Sequence, residues 1–507
     1  MLFNSYAFLL VFLPTTLVAF ALVNRCVPRL GVPLLGLASL AFYGWWNPHY
    51  LVLMCASIAF NFGIAQTMHQ AAAAGQKKRK VRLLTLGIAF NLAALGYFKY
   101  AGFLLDVAGS LSGTDLLIDE IILPLGISFF TFTQIAFLVD SHRDEPSTHD
   151  FPSYLLFVTF FPHLIAGPIY HHREMLPQYA RLATYRLNAQ DVAAGSAIFA
   201  LGLFKKTVFA DGIAPYADHM FAAAAAGAAP SAIEAWCGTV AYALQIYFDF
   251  SGYSDMAIGL ARLFGVVLPM NFFSPYQSRS IIDFWRRWHM SLSRFLRDYL
   301  YVPLGGNRKG GVRTQINIGI TMLLGGLWHG ASWTFVAWGA MHGAMLMLNH
   351  GWRAARRVLG LRARPDSVLL QFMSVLLTFV CVLLAWVLFR AGSLGEALSV
   401  YRGMFGGNAG APLAAGDIFV QLRESGAPRC ALLLAIAWLA PNTQQIMGRL
   451  RIVLETYSEH RAEPIAGNGW WRLAWKPNAA WALAMAAVSL ASLVAMSGSS
   501  RFLYFQF

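Results

Sequence analysis

Apolar runs long enough to cross a bilayer, separated by short polar or basic connections, recur along the whole chain. A membrane-spanning helix needs about 17–25 mostly apolar residues. The pattern predicts spans near 6–24, 31–47, 50–68, 83–101, 121–140, 154–170, 191–209, 234–250, 368–389, 431–447 and 479–496. The stretch 314–350 reads as two short or broken spans, which brings the total to roughly eleven to thirteen. Several runs are interrupted by Pro or Gly, as in "LPLGIS" at 123–128, "FFPHLIAGP" at 160–168, and at Gly319, Gly325, Gly326 and Gly330. Breaks of this kind persist in a membrane only where protein or a water-filled cavity satisfies the freed backbone. They point either to a cavity in the middle third of the chain or to close helix packing through small residues, for which Gly339 and Gly343 have the spacing.

One segment follows a different pattern. In "DFWRRWHMSLSRFLRDYLYVPLGG", at 100° per residue, Phe284, Trp285, Trp288, Leu292, Phe295, Leu296 and Tyr299 share an arc of about 120°. Arg286, Arg287, Arg294 and Arg297 occupy the opposite arc, and His289 lies at the edge of the apolar face. This predicts one amphipathic helix along the membrane surface, its arginines toward head groups or cytosol.

The composition agrees with a polytopic membrane protein: 57% of the residues are hydrophobic and 12% charged, against about 25% charged in soluble domains. The formal net charge of +14 is accounted for by topology and does not call for a nucleic acid. Lys77, Lys78, Arg79, Lys80 and Arg82 fill one short loop; Arg353, Arg356, Arg357, Arg362 and Arg364 fill another. Short basic loops stay cytoplasmic, which also places Arg25 and Arg29 in the cytoplasm and the N-terminus and the 48–49 turn outside. The five cysteines (26, 55, 237, 381 and 430) have neither disulfide nor metal spacing. The opening "MLFNSY" lacks a basic n-region, so the first span reads as a retained helix. The expected organisation is a single integral-membrane domain over 1–507, with N-terminal spans in 1–110, a core in 120–350 and C-terminal spans in 366–507.

Between Thr314 and Trp352 there is no Asp, Glu, Lys or Arg, yet His329, His342 and His350 remain. A cation at membrane depth costs several kcal/mol unless paired, so an ionisable group there is a functional candidate. A neutral imidazole escapes most of that cost and can serve as a general base. His329 is the candidate; Gly330 beside it would leave room for a substrate. The alternative is a core histidine bonded between helices, and that is the reading for His342, which on a continuous helix would lie roughly 140° away. Asp249 and Asp255, in "LQIYFDFSGYSDMAIGLARLFG" with Tyr247, Ser251, Tyr253 and Ser254, need partners if buried. Arg262 or the arginines of 286–297 would supply them; orienting a histidine or holding a cation are the alternatives. His163 is a third intramembrane histidine, while His171 and His172 read as solvated. "GNRKGG" at 306–311 is too short for a phosphate-binding loop, and no metal or nucleotide signature is present.

Taken together, "LPLGISFFTFTQIAFLVD", "FFPHLIAGPI", "QIYFDFSGYSDMAIG", "FWRRWHMSLSRFLRDYLYVPLGGNRKG", "LWHGASWTFVAWGAMHG" and the terminal "FLYFQF" resemble the membrane-bound O-acyltransferases, in particular the bacterial alginate O-acetyltransferase branch. The resemblance implies an all-α ring of membrane helices around a funnel and tunnel in a bacterial inner membrane. It also implies a catalytic His329 and a second functional His289. The implied reaction passes an acetyl group from a cytoplasmic donor, acetyl-CoA, toward an exported polysaccharide such as alginate, with a periplasmic transferase as partner. The expected donor-binding set is Arg286, Arg287, Arg294, Trp328, Asp249 and Tyr253; no bound cofactor or metal is implied. D-alanyl or peptidoglycan acyl transfer, a transporter and an export scaffold are the rival readings. On the acyltransferase reading, the His329 imidazole lines a lipid-shielded passage reachable from both sides.

Overall fold

The apolar runs fold as helices, and no strand occurs among the described residues. The structure, a computed structural model, describes residues 1–114, 121–143, 150–181, 184, 186–360, 367–408, 425–448, 453–454, 474–496 and 502–503. Arg362 and Arg364 of the second basic loop, and residues 504–507 of the terminal motif, lie outside the described residues.

The N-terminal third contains α1 (Ala7–Cys26), α2 (Gly31–Gly44), α3 (Pro48–Ala73) and α4 (Lys77–Ser112). The middle contains α5 (Ile127–Arg143), the short α6 (Phe151–Thr159), α7 (Phe161–Leu164) and α8 (His172–Tyr179), then the long α9 (Ala189–Ala225) and α10 (Ala232–Leu263). After α11 (Ile281–Arg287) and α12 (Met290–Leu296) come α13 (Gly311–His329), α14 (Trp333–Val358), α15 (Val368–Arg390) and α16 (Leu394–Met404). The last elements are α17 (Ala427–Leu439), α18 (Thr443–Ile446) and α19 (Ala479–Ala495). Among the described residues five helices, α1, α3, α4, α9 and α15, are long and apolar enough to cross a membrane. The other predicted spans form shorter helices, such as the 14-residue α2 and 17-residue α5, or helices carrying more polar residues inside protein.

The centre is α10, every residue of which from 241 to 261 is buried. It packs on α9 through two facing glycine pairs, Gly195 with Gly259 and Gly202 with Gly252. A Cβ at Gly202 would stand 2.6 Å from the Gly252 carbonyl oxygen, and one at Gly195 2.7 Å from that of Gly259. Small residues thus let two backbones touch where apolar burial cannot drive association. Gly202→Val should therefore push the helices apart and cost about 1–3 kcal/mol or more. The expected result is loss of the monodisperse peak in detergent gel filtration, while Gly63→Val, with open space around its Cβ, leaves it intact.

The interruption predicted at 160–168 is present, whereas α13 runs unbroken through Gly319, Gly325 and Gly326 and ends only at Gly330. The span expected at 154–170 divides at Phe160, and the Phe161 amide donates to Ser39 Oγ of α2 at 3.1 Å. The single amphipathic helix expected over 284–299 also divides. Trp288 is extended and His289 adopts a left-handed backbone, φ 42°. The Met290 amide donates to the Asn271 carbonyl, and the Phe273 amide to that of Arg287. The apolar face predicted for this segment exists, but Phe284, Trp288, Leu292 and Phe295 are buried against protein.

The charge-free stretch is a hairpin, with α13 and α14 antiparallel and joined by Gly330–Ser332. A Cβ at Gly326 would collide with the Phe335 carbonyl oxygen, and one at Gly339 with that of Met322. Gly339 therefore acts in packing, as its spacing suggests.

Candidate active site

His329 is the last residue of α13, at the tip of the hairpin. Its ring is caged by aromatic neighbours: Trp328 at 4.9 Å between centroids, Phe389 of α15 at 5.0 Å and Trp338 of α14 at 5.1 Å. The residue is 6% exposed. The room expected at Gly330 is filled, since a Cβ there would meet the Phe335 ring. A groove of about 520 Å³ runs between α9 and α19, and one of about 480 Å³ lies beside 207–213; neither includes His329.

His289 lies across the Trp328 ring, with centroids at 6.1 Å, and is 4.7 Å from Phe250 of α10. It is 1% exposed, and among the described residues neither of its ring nitrogens has a hydrogen-bond partner. An unpaired buried polar group costs about 1–3 kcal/mol, and a left-handed non-glycine backbone costs about 1–2 kcal/mol more. Such costs collect where function requires the conformation. Trp328 thus neighbours two buried imidazoles, one on the broken segment and one on the hairpin tip.

His342 does not follow His329 on a continuous helix. The chain reverses at 330–332, so both rings face Trp338, at 5.1 Å for His329 and 4.7 Å for His342. His342 Nδ1 accepts from Trp285 Nε1 at 3.3 Å, which ties the hairpin to α11. His163 is buried in the core beside Tyr170, at 4.1 Å.

The intramembrane carboxylates find partners other than those expected. Asp249 pairs with Lys206 at 2.6 Å and accepts from the Leu503 amide at 3.1 Å. Asp255 pairs with Lys205 at 2.6 Å and accepts from Thr443 and Gln444 at 2.6 and 3.2 Å. Arg262 pairs instead with Asp191 at 2.7 Å. Both lysines lie on a widened turn of α9, Lys205–Ala210, of the kind often found at functional positions. Tyr253 is stacked between Phe3 at 4.8 Å and Phe502 at 4.5 Å. Asp249 and Tyr253 thus anchor the N-terminal segment and residues 502–503 to α10, where Phe250 is the neighbour that meets the His289 ring, at 4.7 Å.

Of the three arginines expected at a donor site, Arg287 pairs with Asp283 at 2.9 Å and Arg294 with Glu174 at 2.6 Å. Arg286 is exposed and has no carboxylate partner among the described residues. His171 and His172 are not solvated as expected. They close on Asp140, with His172 Nδ1 at 3.3 Å, and Tyr299 donates to Asp140 at 2.6 Å while contacting His171 Nδ1 at 2.9 Å. From this cluster an aromatic column of Tyr299, Phe295, Phe132 and Trp328 leads to the two histidines, with centroids 4.9, 4.4 and 5.5 Å apart. Arg308 and Lys309, in "GNRKGG", are exposed. Among the described residues no group of three or more His, Cys, Asp or Glu is arranged to hold a metal.

Missing from the sequence expectations is Lys99 of α4, whose Nζ lies 3.0 Å from the His329 carbonyl oxygen. Its signal is visible: it is the one Lys or Arg between Arg82 and Arg143, set inside an apolar run.

A family model for the membrane-bound O-acyltransferases matches residues 74–389, a range that holds both histidines and Lys99. The chain is 41% identical over 438 residues to the peptidoglycan O-acetyltransferase of Helicobacter pylori, covering 80% of each. It is 42% identical over 416 residues to the probable alginate O-acetylase AlgI of Azotobacter vinelandii, covering 80% of this chain and 78% of that one. A more distant similarity, 27% over 301 residues, is to the teichoic acid D-alanyltransferase of Streptococcus thermophilus, covering 56% and 72% respectively.

Proposed function

The chain belongs to the membrane-bound O-acyltransferase family, and from that premise we propose that it carries an acetyl group from a cytoplasmic thioester to a hydroxyl outside a bacterial inner membrane. It is an O-acyltransferase. The observation that carries the finer reading is the pair of buried imidazoles that both neighbour Trp328.

In the proposed step, a ring nitrogen of neutral His329 takes the proton of the attacking hydroxyl as its oxygen bonds to the thioester carbonyl carbon. The carbon–sulfur bond then breaks, and the imidazolium returns the proton to the departing thiolate. His289, whose nitrogens are uncommitted, positions the carbonyl or relays that proton. The aromatic cage excludes water, which favours transfer over hydrolysis.

The basic loops give the step a direction. With Lys77–Arg82 and Arg353–Arg357 cytoplasmic, His329 lies about 24 Å of helix beyond Arg313, toward the outer side of a hydrocarbon core about 30 Å thick. A donor from the cytosol must thread most of that depth, which suits the long thin arm of acetyl-CoA. Arg286, free of carboxylates at the entry side, suits its phosphates. The acceptor is an exported polysaccharide, or a hydroxyl on a periplasmic transferase that passes the group on; the names of the 41–42% identical relatives support acetyl over D-alanyl.

The test is to express His329→Ala and His289→Ala in polysaccharide-exporting cells, confirm membrane levels, and assay ester-linked acetate on the exported polymer. Loss of acetate with polymer export preserved is expected, which a transporter does not predict. Full acetylation by both variants at normal levels would leave a scaffold as the function.

A further inference from the structure

The last four carbonyls of any α-helix have no partner within it, and in a membrane water does not supply one. In α13 these belong to residues 326–329, the turn that ends in His329. The Gly326 carbonyl accepts from the Gly330 amide at 3.4 Å. The Leu327 carbonyl accepts from Tyr100 Oη at 2.8 Å. The Trp328 and His329 carbonyls both accept from Lys99 Nζ, at 2.6 and 3.0 Å. The end of the helix is thus completed by two consecutive side chains of α4, a segment distant in sequence.

Lys99 and Tyr100 reach that point because α4 widens into a π-type turn over Gly96–Tyr100. Besides the two carbonyls, Lys99 hydrogen-bonds Ser128 Oγ at 3.5 Å; it has no carboxylate partner among the described residues. An ammonium held by carbonyl and hydroxyl dipoles, about 25 Å of helix past Arg82, is costly unless the site requires it. A cation at a helix C-terminus is also where the helix dipole favours one.

We propose that Lys99 is a positioning residue for the acyl transfer: by clamping the Trp328 and His329 carbonyls, it fixes the hairpin tip so that the His329 imidazole meets the acceptor hydroxyl in the reactive orientation. The inference rests on His329 acting as the base. Misplacing a catalytic group by about 1 Å costs on the order of 100-fold in rate. An effect of that size is expected in turnover, because Lys99 touches backbone and not substrate.

The experiment uses the full chain in membrane vesicles from polysaccharide-exporting cells, with acetyl-CoA as the probe donor and released thiol as the readout. Lys99→Met should lower kcat by about 100-fold with KM for acetyl-CoA within twofold, and Lys99→Arg should recover at least a tenth of the wild-type kcat. Tyr100→Phe, which removes the cap at Leu327, should change kcat less than threefold. Activity is normalised to folded protein by detergent gel filtration. The inference is overturned if Lys99→Met keeps its kcat, if the loss lies in KM or in folded yield alone, or if Lys99→Arg recovers nothing. His329→Ala, run in parallel, separates the two claims: retained turnover there refutes the base, whereas its loss beside an unaffected Lys99→Met refutes the clamp only.

Discussion

His329→Gln is expected to reduce acetyl transfer by about three orders of magnitude, within the 10²–10⁴ range that a general base contributes. Each factor of ten corresponds to about 1.4 kcal/mol of barrier, so the imidazole is assigned about 4 kcal/mol. Glutamine is polar and of similar length, so it can keep a contact within the Trp328, Trp338 and Phe389 cage while losing the capacity to take a proton. His289→Gln is expected to cost less, about tenfold to a hundredfold, because a relay or positioning role is partly replaced by an amide donor. Both values follow from initial rates at saturating acetyl-CoA, normalised to folded protein. Equal rates for wild type and His329→Gln would remove the base from the mechanism.

The second large effect concerns folding. Lys206 is 3% exposed and holds Asp249 at 2.6 Å and Asp211 at 2.7 Å. Among the described residues, Lys206→Met leaves Asp249 with the Leu503 amide as its remaining partner, an uncompensated carboxylate at the centre of α10. Breaking one side of a buried pair costs about 3–5 kcal/mol, so a sharp fall in folded yield and in Tm in detergent is expected. Adding Asp249→Asn should restore much of the loss, because the stranded charge is gone. Failure of the double variant to recover would mean that the Lys206 side chain contributes through packing, not charge.

The parts of the fold that depend on one helix's own apolar content could be read from the chain. The long spans, the hairpin at 314–350, the break at 160–168 and the apolar face of 284–296 all have such local signatures. Partner choice did not have one. Asp249 and Asp255 take Lys206 and Lys205 because facing glycines bring α9 against α10, and nothing in either sequence segment announces that approach. The kink at Trp288–His289 was hidden because "RRWHMS" contains no Pro or Gly, so the helical period runs through it unbroken. His171 and His172 read as solvated because their partner, Asp140, ends a different helix. In the candidate site, the two histidines were legible as ionisable groups in apolar surroundings. Lys99 had the same signature, but only the tertiary meeting of α4 with the hairpin tip gives it a task.

The most direct measurement uses sealed inside-out vesicles carrying the polymer-export machinery, with acetyl-labelled CoA supplied only to the outward-facing cytoplasmic surface. The account predicts ester-linked label on polymer inside the lumen for the wild type and none above background for His329→Gln. Label reaching the lumen at the wild-type rate without the imidazole would contradict it.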